Sequence, residues 1–68
     1  MKVIVNGAET DVAQDATLRA VLDSLDLPAQ GRGVAVAVDA EVVPRGSWEA
    51  TALHDGARIE VLRAIQGG

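Results

Sequence analysis

The sequence predicts an α+β fold, in which one helix covers one face of a mixed sheet of four to five strands. Three observations support this prediction. Runs rich in β-branched or other apolar residues lie near both ends, at 2–5 and 58–65, and such runs are typical of strands. Between them, one stretch from Leu18 repeats apolar residues with the period of an amphipathic helix. Finally, 68 residues make one domain, and without cysteine its core must be purely apolar.

The first element is a strand followed directly by a hairpin turn. Residues 2–5 form the strand, and Asn6-Gly7 follows it. Asn-Gly is the strongest short signal for a type I′ turn, because both central residues of that turn need positive φ. We therefore expect residues 8–12 to return as an antiparallel strand, with Glu9 and Asp11 facing water.

The helix is predicted to begin after Thr17, whose hydroxyl can accept from the free N–H groups of a first helical turn. Apolar residues then fall at i, i+3, i+4 and i+7, which places them on one side of a helix. These residues are Leu18, Val21, Leu22 and Leu25. Arg19 and Asp23 are spaced i, i+4, as in a helical ion pair. Pro28 is expected to stop the helix and to begin a polar loop over residues 28–33.

The second half of the sequence predicts three further strands. Residues 33–38 alternate Val and Ala, which indicates a compact apolar strand. Residues 41–43 form a short extended piece ended by Pro44, which suits a sheet edge because proline cannot donate a ladder bond. We expect a short irregular or helical turn over 47–53, a tight turn at residues 55 and 56, and a last strand over 58–65.

The order is therefore strand, strand, helix, strand, short strand, strand. The tight turn makes the first two strands antiparallel, and the crossing helix predicts that the third strand is a parallel neighbour of the first. This is the order of the β-grasp, or ubiquitin-like, fold. We expect a single domain of this fold over residues 1–68, with 64–68 as a flexible C-terminal tail.

Alternation along the strands predicts which side of the sheet faces the helix. The predicted core comprises Val3, Val5, Leu18, Val21, Leu22, Leu25, Val36, Val38, Leu53, Ile59 and Val61. Trp48 is expected to cap an outlying apolar cluster. The open side is left with Ile4, Ala35, Ala37 and Leu62, a small apolar patch rimmed by charge and therefore a candidate docking surface.

Composition excludes several kinds of chemistry. Without cysteine the side chains cannot hold a thioester, a persulfide or an iron–sulfur cluster, and one histidine cannot build a zinc site alone. Ten acidic against six basic residues give a net charge of −4, which disfavours nucleic acid and suits a partner with a basic docking face. No leader and no apolar run of about 18 residues is seen, so we expect a cytoplasmic protein that does not enter a membrane.

The most informative feature is Gly67-Gly68, directly after the last predicted strand. Residues without side chains form a thin thread and let the backbone approach another molecule closely. A carboxylate is a poor electrophile, and transfer of AMP from ATP onto it is one way in which cells activate it. We therefore expect the Gly68 carboxylate to be the reacting group, while a partner enzyme supplies the catalysis.

Other combinations of reactive residues are only weak evidence for a catalytic or metal site. Ser47, His54 and Asp55 are the residue types of a nucleophilic triad, but the last two are adjacent in a turn, and a deep pocket is not expected in so small a body. Acidic pairs such as Asp23 with Asp26 are interpreted as solvated surface charge. We predict no catalytic residue and no metal ligand in this chain.

One segment carries a family resemblance. Residues 34–45, Val-Ala-Val-Ala-Val-Asp-Ala-Glu-Val-Val-Pro-Arg, resemble the central signature of ThiS-type sulfur carriers of thiamine biosynthesis. The resemblance continues through Trp48 to Gly67-Gly68 and spans essentially the whole chain. Asp39 stands where the family usually has Asn, and Ala57 where a second acidic residue often follows Asp-Gly, both in predicted turns.

The resemblance implies a carrier protein rather than an enzyme. An adenylating enzyme similar to ubiquitin-activating enzymes would use Mg-ATP to form an acyl-adenylate at Gly68, and no cofactor would stay bound to the chain. Sulfur from a persulfide on another protein would displace AMP, and thiazole synthase would take it from the resulting thiocarboxylate. The tail residues implied to enter the partner are Ile65, Gln66, Gly67 and Gly68, and those implied to dock against it are Ile4, Ala35, Ala37, Leu62 and Arg63.

Three alternatives share parts of this pattern. The nearest is the small subunit of molybdopterin synthase, which has the same fold, tail and activation, although the Val-Pro-Arg and Trp48 pattern favours thiamine. A second is a ubiquitin-like modifier conjugated to lysines. A third is a plain binding module whose tail is inert.

Overall fold

The computed structural model describes residues 1–25 and 33–63. Its elements are β1 (Lys2–Val5), β2 (Ala8–Asp11), α1 (Leu18–Asp23), β3 (Val34–Val38), β4 (Glu41–Val42), a 3₁₀ helix (Arg45–Ala50) and β5 (Arg58–Arg63). The predicted tail 64–68 and all but the last residue of the predicted loop 28–33 lie outside the described residues.

The five strands form one mixed sheet in the order β2-β1-β5-β3-β4. β1 and β2 are antiparallel, and the turn between them has Asn6 at φ 49° and Gly7 at φ 84°, as a type I′ hairpin requires. β5 lies in the centre, parallel to β1 and antiparallel to β3. The predicted α+β fold is therefore confirmed, with a mixed sheet and, among the described residues, one α-helix.

The expected pairing of the first strand with the third is wrong, because β5 lies between β1 and β3. The predicted direction is wrong as well: β3 is antiparallel to β5, which is parallel to β1, so β3 runs antiparallel to β1. A crossover helix makes the next strand parallel to the strand that precedes the helix, which is β2, and it does not make the two strands neighbours. β5 has six residues and is the longest strand. In the centre its backbone N–H and C=O groups can pair on both sides, which an edge position would not allow.

The helix begins as predicted and ends earlier. The Thr17 hydroxyl accepts from the N–H of Ala20 at 3.2 Å, which is the N-cap bond expected from sequence. Instead of continuing towards Pro28, α1 ends at Asp23. The N–H and hydroxyl of Ser24 both donate to the carbonyl of Val21, at 3.1 and 2.6 Å. Such i to i−3 bonds tighten the final turn and compete with the helical ladder.

Strand boundaries differ from the predictions by single residues. β2 ends at Asp11 rather than at residue 12, and β4 ends at Val42 rather than at residue 43. β3 begins at Val34 because Gly33 has a φ of 73°, a left-handed conformation outside the β region. The predicted helical turn over 47–53 is a 3₁₀ helix that begins two residues earlier, directly after Pro44.

The core lies between the sheet, α1 and the 3₁₀ helix. Its buried members are Val3, Val5, Leu18, Val21, Leu22, Val36, Trp48, Ala57 and Ile59, and the remaining predicted members, Leu25, Val38, Leu53 and Val61, are partly buried against them. The interpretation of Trp48 as the cap of an outlying cluster is wrong, since its side chain is only 2% exposed and belongs to this core. Its indole N–H donates to the Val43 carbonyl at 3.0 Å, which satisfies the buried donor.

Across residues 1–25 and 33–63, no helix has the length and apolar character that crossing a membrane requires.

Candidate functional site

The predicted reactive end of the chain follows the central strand of the sheet. β5 pairs with β1 on one side and with β3 on the other, and its last residue, Arg63, lies opposite Val34. The predicted tail-insertion residues Ile65, Gln66, Gly67 and Gly68 lie outside the described residues. The structure therefore defines the base of the tail, a strand end paired with β3, rather than the reacting carboxylate itself.

The open face of the sheet carries four of the five predicted docking residues. Strand alternation places Ile4, Ala35, Ala37 and Leu62 on the side away from α1. Leu62 lies directly opposite Ala35 on β3 and is 65% exposed. The fifth predicted docking residue, Arg63, is the last residue of β5.

The register divides this patch in a way that the sequence alone does not reveal. Ile4 pairs with Arg58, four residues before Leu62 along β5, and Glu60 lies between them on the same face. Arg58 and Glu60 thus separate Ile4 from the apolar half around Leu62. Val42, which is 72% exposed and pairs with Ala37, extends that apolar half to the sheet edge and was missed by sequence reasoning.

Charge and shape distinguish the other half of the open face. Lys2 on β1 forms an exposed ion pair with Glu9 on β2 at 3.5 Å and lies 4.0 Å from Asp11. Next to them is a shallow recess of about 320 Å³, lined by Ile4, Asn6, Gly7, Arg58, Ile59 and Glu60. Apolar residues near Leu62 and charged residues near Lys2 therefore give one sheet face two distinct contact areas.

A histidine–carboxylate pair lies at the end of β5 that is remote from the tail. His54 Nε2 and Asp39 Oδ2 are 2.6 Å apart, and the other carboxylate oxygen accepts from the Arg58 N–H at 3.0 Å. The hydrogen bond to Asp39 raises the pKa of His54, and the same bond, followed by that from Arg58, lowers the pKa of Asp39. Sequence reasoning considered His54 only beside Asp55, in a weak triad, and did not connect it with Asp39. The signal that could have revealed the pair is that Asp39 stands where the resembling family usually has Asn.

This pair predicts a pH-dependent contribution to stability. Because the folded pKa of His54 is raised, its contribution is complete below about pH 6.5 and is lost as pH rises through the folded pKa. The contribution of Asp39 is present above about pH 3.8 and is lost as pH falls through its lowered folded pKa. Asp39→Asn should therefore reduce the melting temperature more near pH 5 than near pH 9.

The substitution to Asn is suited to this test, because Asn tolerates the φ of 50° at position 39 and keeps an acceptor for the Arg58 N–H. Thermal melts of both proteins across the pH range give the measurement. In a His54→Ala background the pH dependence of the effect should vanish. An effect of Asp39→Asn that is equal at both pH values would show that the ion pair adds nothing to stability.

Comparison with protein families gives a match over nearly the whole chain. A model of the ThiS family matches residues 3–68. The sulfur carrier protein ThiS of Escherichia coli is 29% identical over 68 residues, and the match covers all of both chains. A thiazole synthase of Paramagnetospirillum magneticum is 35% identical over 68 residues, but this chain spans only 20% of that protein's length.

Solved structures agree with the sequence comparison. The crystal structure of a thiamine biosynthesis protein (ThiS) from Geobacter metallireducens superposes with a TM-score of 0.82 at 33% identity, covering all of both chains. A solution NMR structure of a thiamine biosynthesis protein from the same organism gives a TM-score of 0.78 at 30% identity, covering all of this chain and 88% of that one. The predicted β-grasp architecture is confirmed by these similarities.

Proposed function

Because this chain belongs to the ThiS family of sulfur carriers in thiamine biosynthesis, we propose that its Gly68 carboxylate is the group that receives the sulfur. The observation that supports this most strongly is the extent of the family match, which runs to residue 68 and so includes Gly67 and Gly68. Neither residue has a side chain, which leaves the carbonyl carbon of Gly68 accessible inside a closed catalytic site.

The proposed chemistry has three steps, all catalysed by partner enzymes. A carboxylate oxygen of Gly68 attacks the α-phosphorus of Mg-ATP and displaces pyrophosphate, which gives an acyl-adenylate. The terminal sulfur of a protein persulfide then attacks the carbonyl carbon and displaces AMP. A thiol then attacks the donor protein's sulfur in this acyl disulfide and forms a new disulfide with it, and the electron pair of the broken S–S bond stays on the sulfur of a Gly68 thiocarboxylate. No resident cofactor is needed on this chain.

The described fold supports this role because the folded body, which a partner can bind, is separate from the proposed reacting group. β5 pairs with β1 at Arg58 and Ile59 and with β3 from Ile59 to Arg63, so the strand that precedes the tail is joined to the body of the sheet. Contacts between a partner and that body can then supply binding energy away from the reacting atoms and hold the carboxylate in place. The apolar area around Leu62 is the proposed docking surface, because it lies on the exposed face of the same strand.

Thiazole synthase is the proposed acceptor of the sulfur. A stretch similar to this chain makes up 20% of the length of the thiazole synthase of P. magneticum, which supports a functional link between a domain of this kind and that enzyme. In this chain the same transfer would take place between separate proteins or linked domains.

Intact mass spectrometry tests the proposal. The purified chain is incubated with its activating enzyme, Mg-ATP, a persulfide donor and a thiol, and we expect the mass change of one oxygen replaced by sulfur, located at Gly68 by fragmentation. Omitting ATP is the control and should leave the mass unchanged. An unchanged mass in the complete reaction would contradict the proposal and favour a binding module with an inert tail.

A further inference from the structure

The side chain of Asn6 makes a contact that its role in the hairpin turn does not require. Its Oδ1 accepts from the N–H of Val61 at 2.8 Å, and its Nδ2 donates to the carbonyl of Val61 at 3.3 Å. The two residues are 55 positions apart in sequence. One carboxamide thus satisfies both backbone groups of a single residue in the central strand.

This contact replaces backbone pairing that the turn interrupts. Up to this point the ladder between β1 and β5 uses backbone groups, with the Asn6 N–H donating to the Ile59 carbonyl at 2.9 Å. The φ of 49° at Asn6 then turns the chain back into β2, so β1 cannot continue beside β5. A carboxamide has the donor and acceptor of a peptide group, and it takes the place of the next residue of β1.

The position of this contact relates it to the reaction. Val61 is followed by only two more residues of β5, Leu62 and Arg63, before the segment that leads to Gly68. Without the Asn6 side chain, the N–H and C=O of Val61 would lose these two partners on the β1 side. The end of β5, residues 61–63, would then be held by β3 alone. The base of the tail would gain freedom to bend.

From this geometry we infer that Asn6 is a positioning residue for sulfur transfer, whose carboxamide clamps Val61 and fixes the direction in which the tail leaves the sheet. The inference rests on the proposed function of Gly68. A fixed base reduces the orientations available to the reacting carbonyl when the body is docked, so it favours reaction in the docked complex. The substitution of Asn6 should therefore act on kcat, while KM, which reflects docking of the body, stays nearly unchanged.

Two substitutions test the hydrogen bonds from Asn6 to Val61 separately from the hairpin turn. Asn6→Gly keeps a residue that adopts positive φ freely and removes both side-chain hydrogen bonds. Asn6→Asp keeps an acceptor for the Val61 N–H and loses the donor to the Val61 carbonyl. The control is Asp55→Ala, which removes a side-chain bond at the opposite end of the same strand pair, where Asp55 Oδ1 accepts from the Lys2 N–H at 2.9 Å.

The experiment measures steady-state formation of thiocarboxylate by the activating enzyme, together with amide hydrogen exchange. We expect Asn6→Gly to lower kcat roughly tenfold, Asn6→Asp to lower it less, and Asp55→Ala to leave it unchanged. Exchange of the Val61 N–H should accelerate in Asn6→Gly, and that of the Lys2 N–H in Asp55→Ala. These amides report whether each substitution has removed its own bond while the rest of the sheet stays protected.

The possible results separate this inference from the proposed function. A wild-type chain that gains no sulfur overturns the proposed function and the inference with it. A wild-type chain that reacts while Asn6→Gly reacts equally fast overturns the inference alone. Equal losses of kcat in Asn6→Gly and Asp55→Ala also overturn it, because they indicate a general loss of stability rather than positioning.

Discussion

Addition of a single lysine after Gly68 is expected to abolish thiocarboxylate formation while the fold stays intact. The extension replaces the proposed reacting carboxylate by an amide and places a long side chain on a thread that otherwise has none at residues 67 and 68. An amide cannot be adenylated at that carbon. The loss should therefore be complete in the mass assay, with the melting temperature unchanged.

The added lysine provides its own control. A carboxypeptidase specific for basic residues removes it and restores Gly68 as the terminus, so the trimmed protein should regain full sulfur transfer. Recovery would show that the extension blocked the chemistry rather than damaging the body. Unimpaired transfer by the untrimmed protein would contradict the assignment of Gly68 as the reacting residue.

Replacement of Trp48 by alanine is expected to give the largest loss of stability among single substitutions considered for this chain. Trp48 is the only aromatic residue, it is 2% exposed, and its indole N–H is bonded to the Val43 carbonyl. Removal of a buried Trp side chain costs about 3–5 kcal/mol. Domains of 68 residues are stable by only about 3–10 kcal/mol, so this substitution should remove a large share of the free energy of unfolding.

Trp48→Phe is the matched control for that substitution. It retains an aromatic ring in the core and loses the hydrogen bond to Val43, so its free energy of unfolding should fall by less than that of the alanine variant. Urea denaturation followed by circular dichroism measures both. A decrease below about 1 kcal/mol for Trp48→Ala would contradict the placement of this side chain in the core.

Elements specified by neighbouring residues could be predicted from the sequence. The Asn6-Gly7 turn follows from the positive φ that only a few residue types tolerate, and the start of α1 follows from a hydroxyl at Thr17 placed before an apolar stripe. Both signals act within a few residues. The terminal diglycine is likewise a local signal, because the chemistry proposed for it depends on the absence of side chains at residues 67 and 68.

Features that depend on distant pairing could not be predicted in the same way. No pattern within residues 58–63 indicates that this strand lies between β1 and β3. The division of the open face by Arg58 and Glu60 depends on how β5 pairs with both of those strands. The burial of Trp48 and the bonds from Asn6 to Val61 arise only when remote elements meet. Sequence patterns thus indicated the proposed chemistry, whereas register determined the arrangement of residues on the open face of the sheet.

The parallel pairing of β1 with β5 has a consequence for how the protein acquires its structure during synthesis. The pairing of β1 with β5 joins residues more than fifty positions apart, and the neighbouring hydrogen bond between Lys2 and Asp55 spans 53 positions. The hairpin of β1 and β2 can form early, but the sheet lacks its middle strand until residue 63 has emerged from the ribosome. Closing so long a loop slows folding, and we expect nascent chains that end before β5 to remain protease-sensitive.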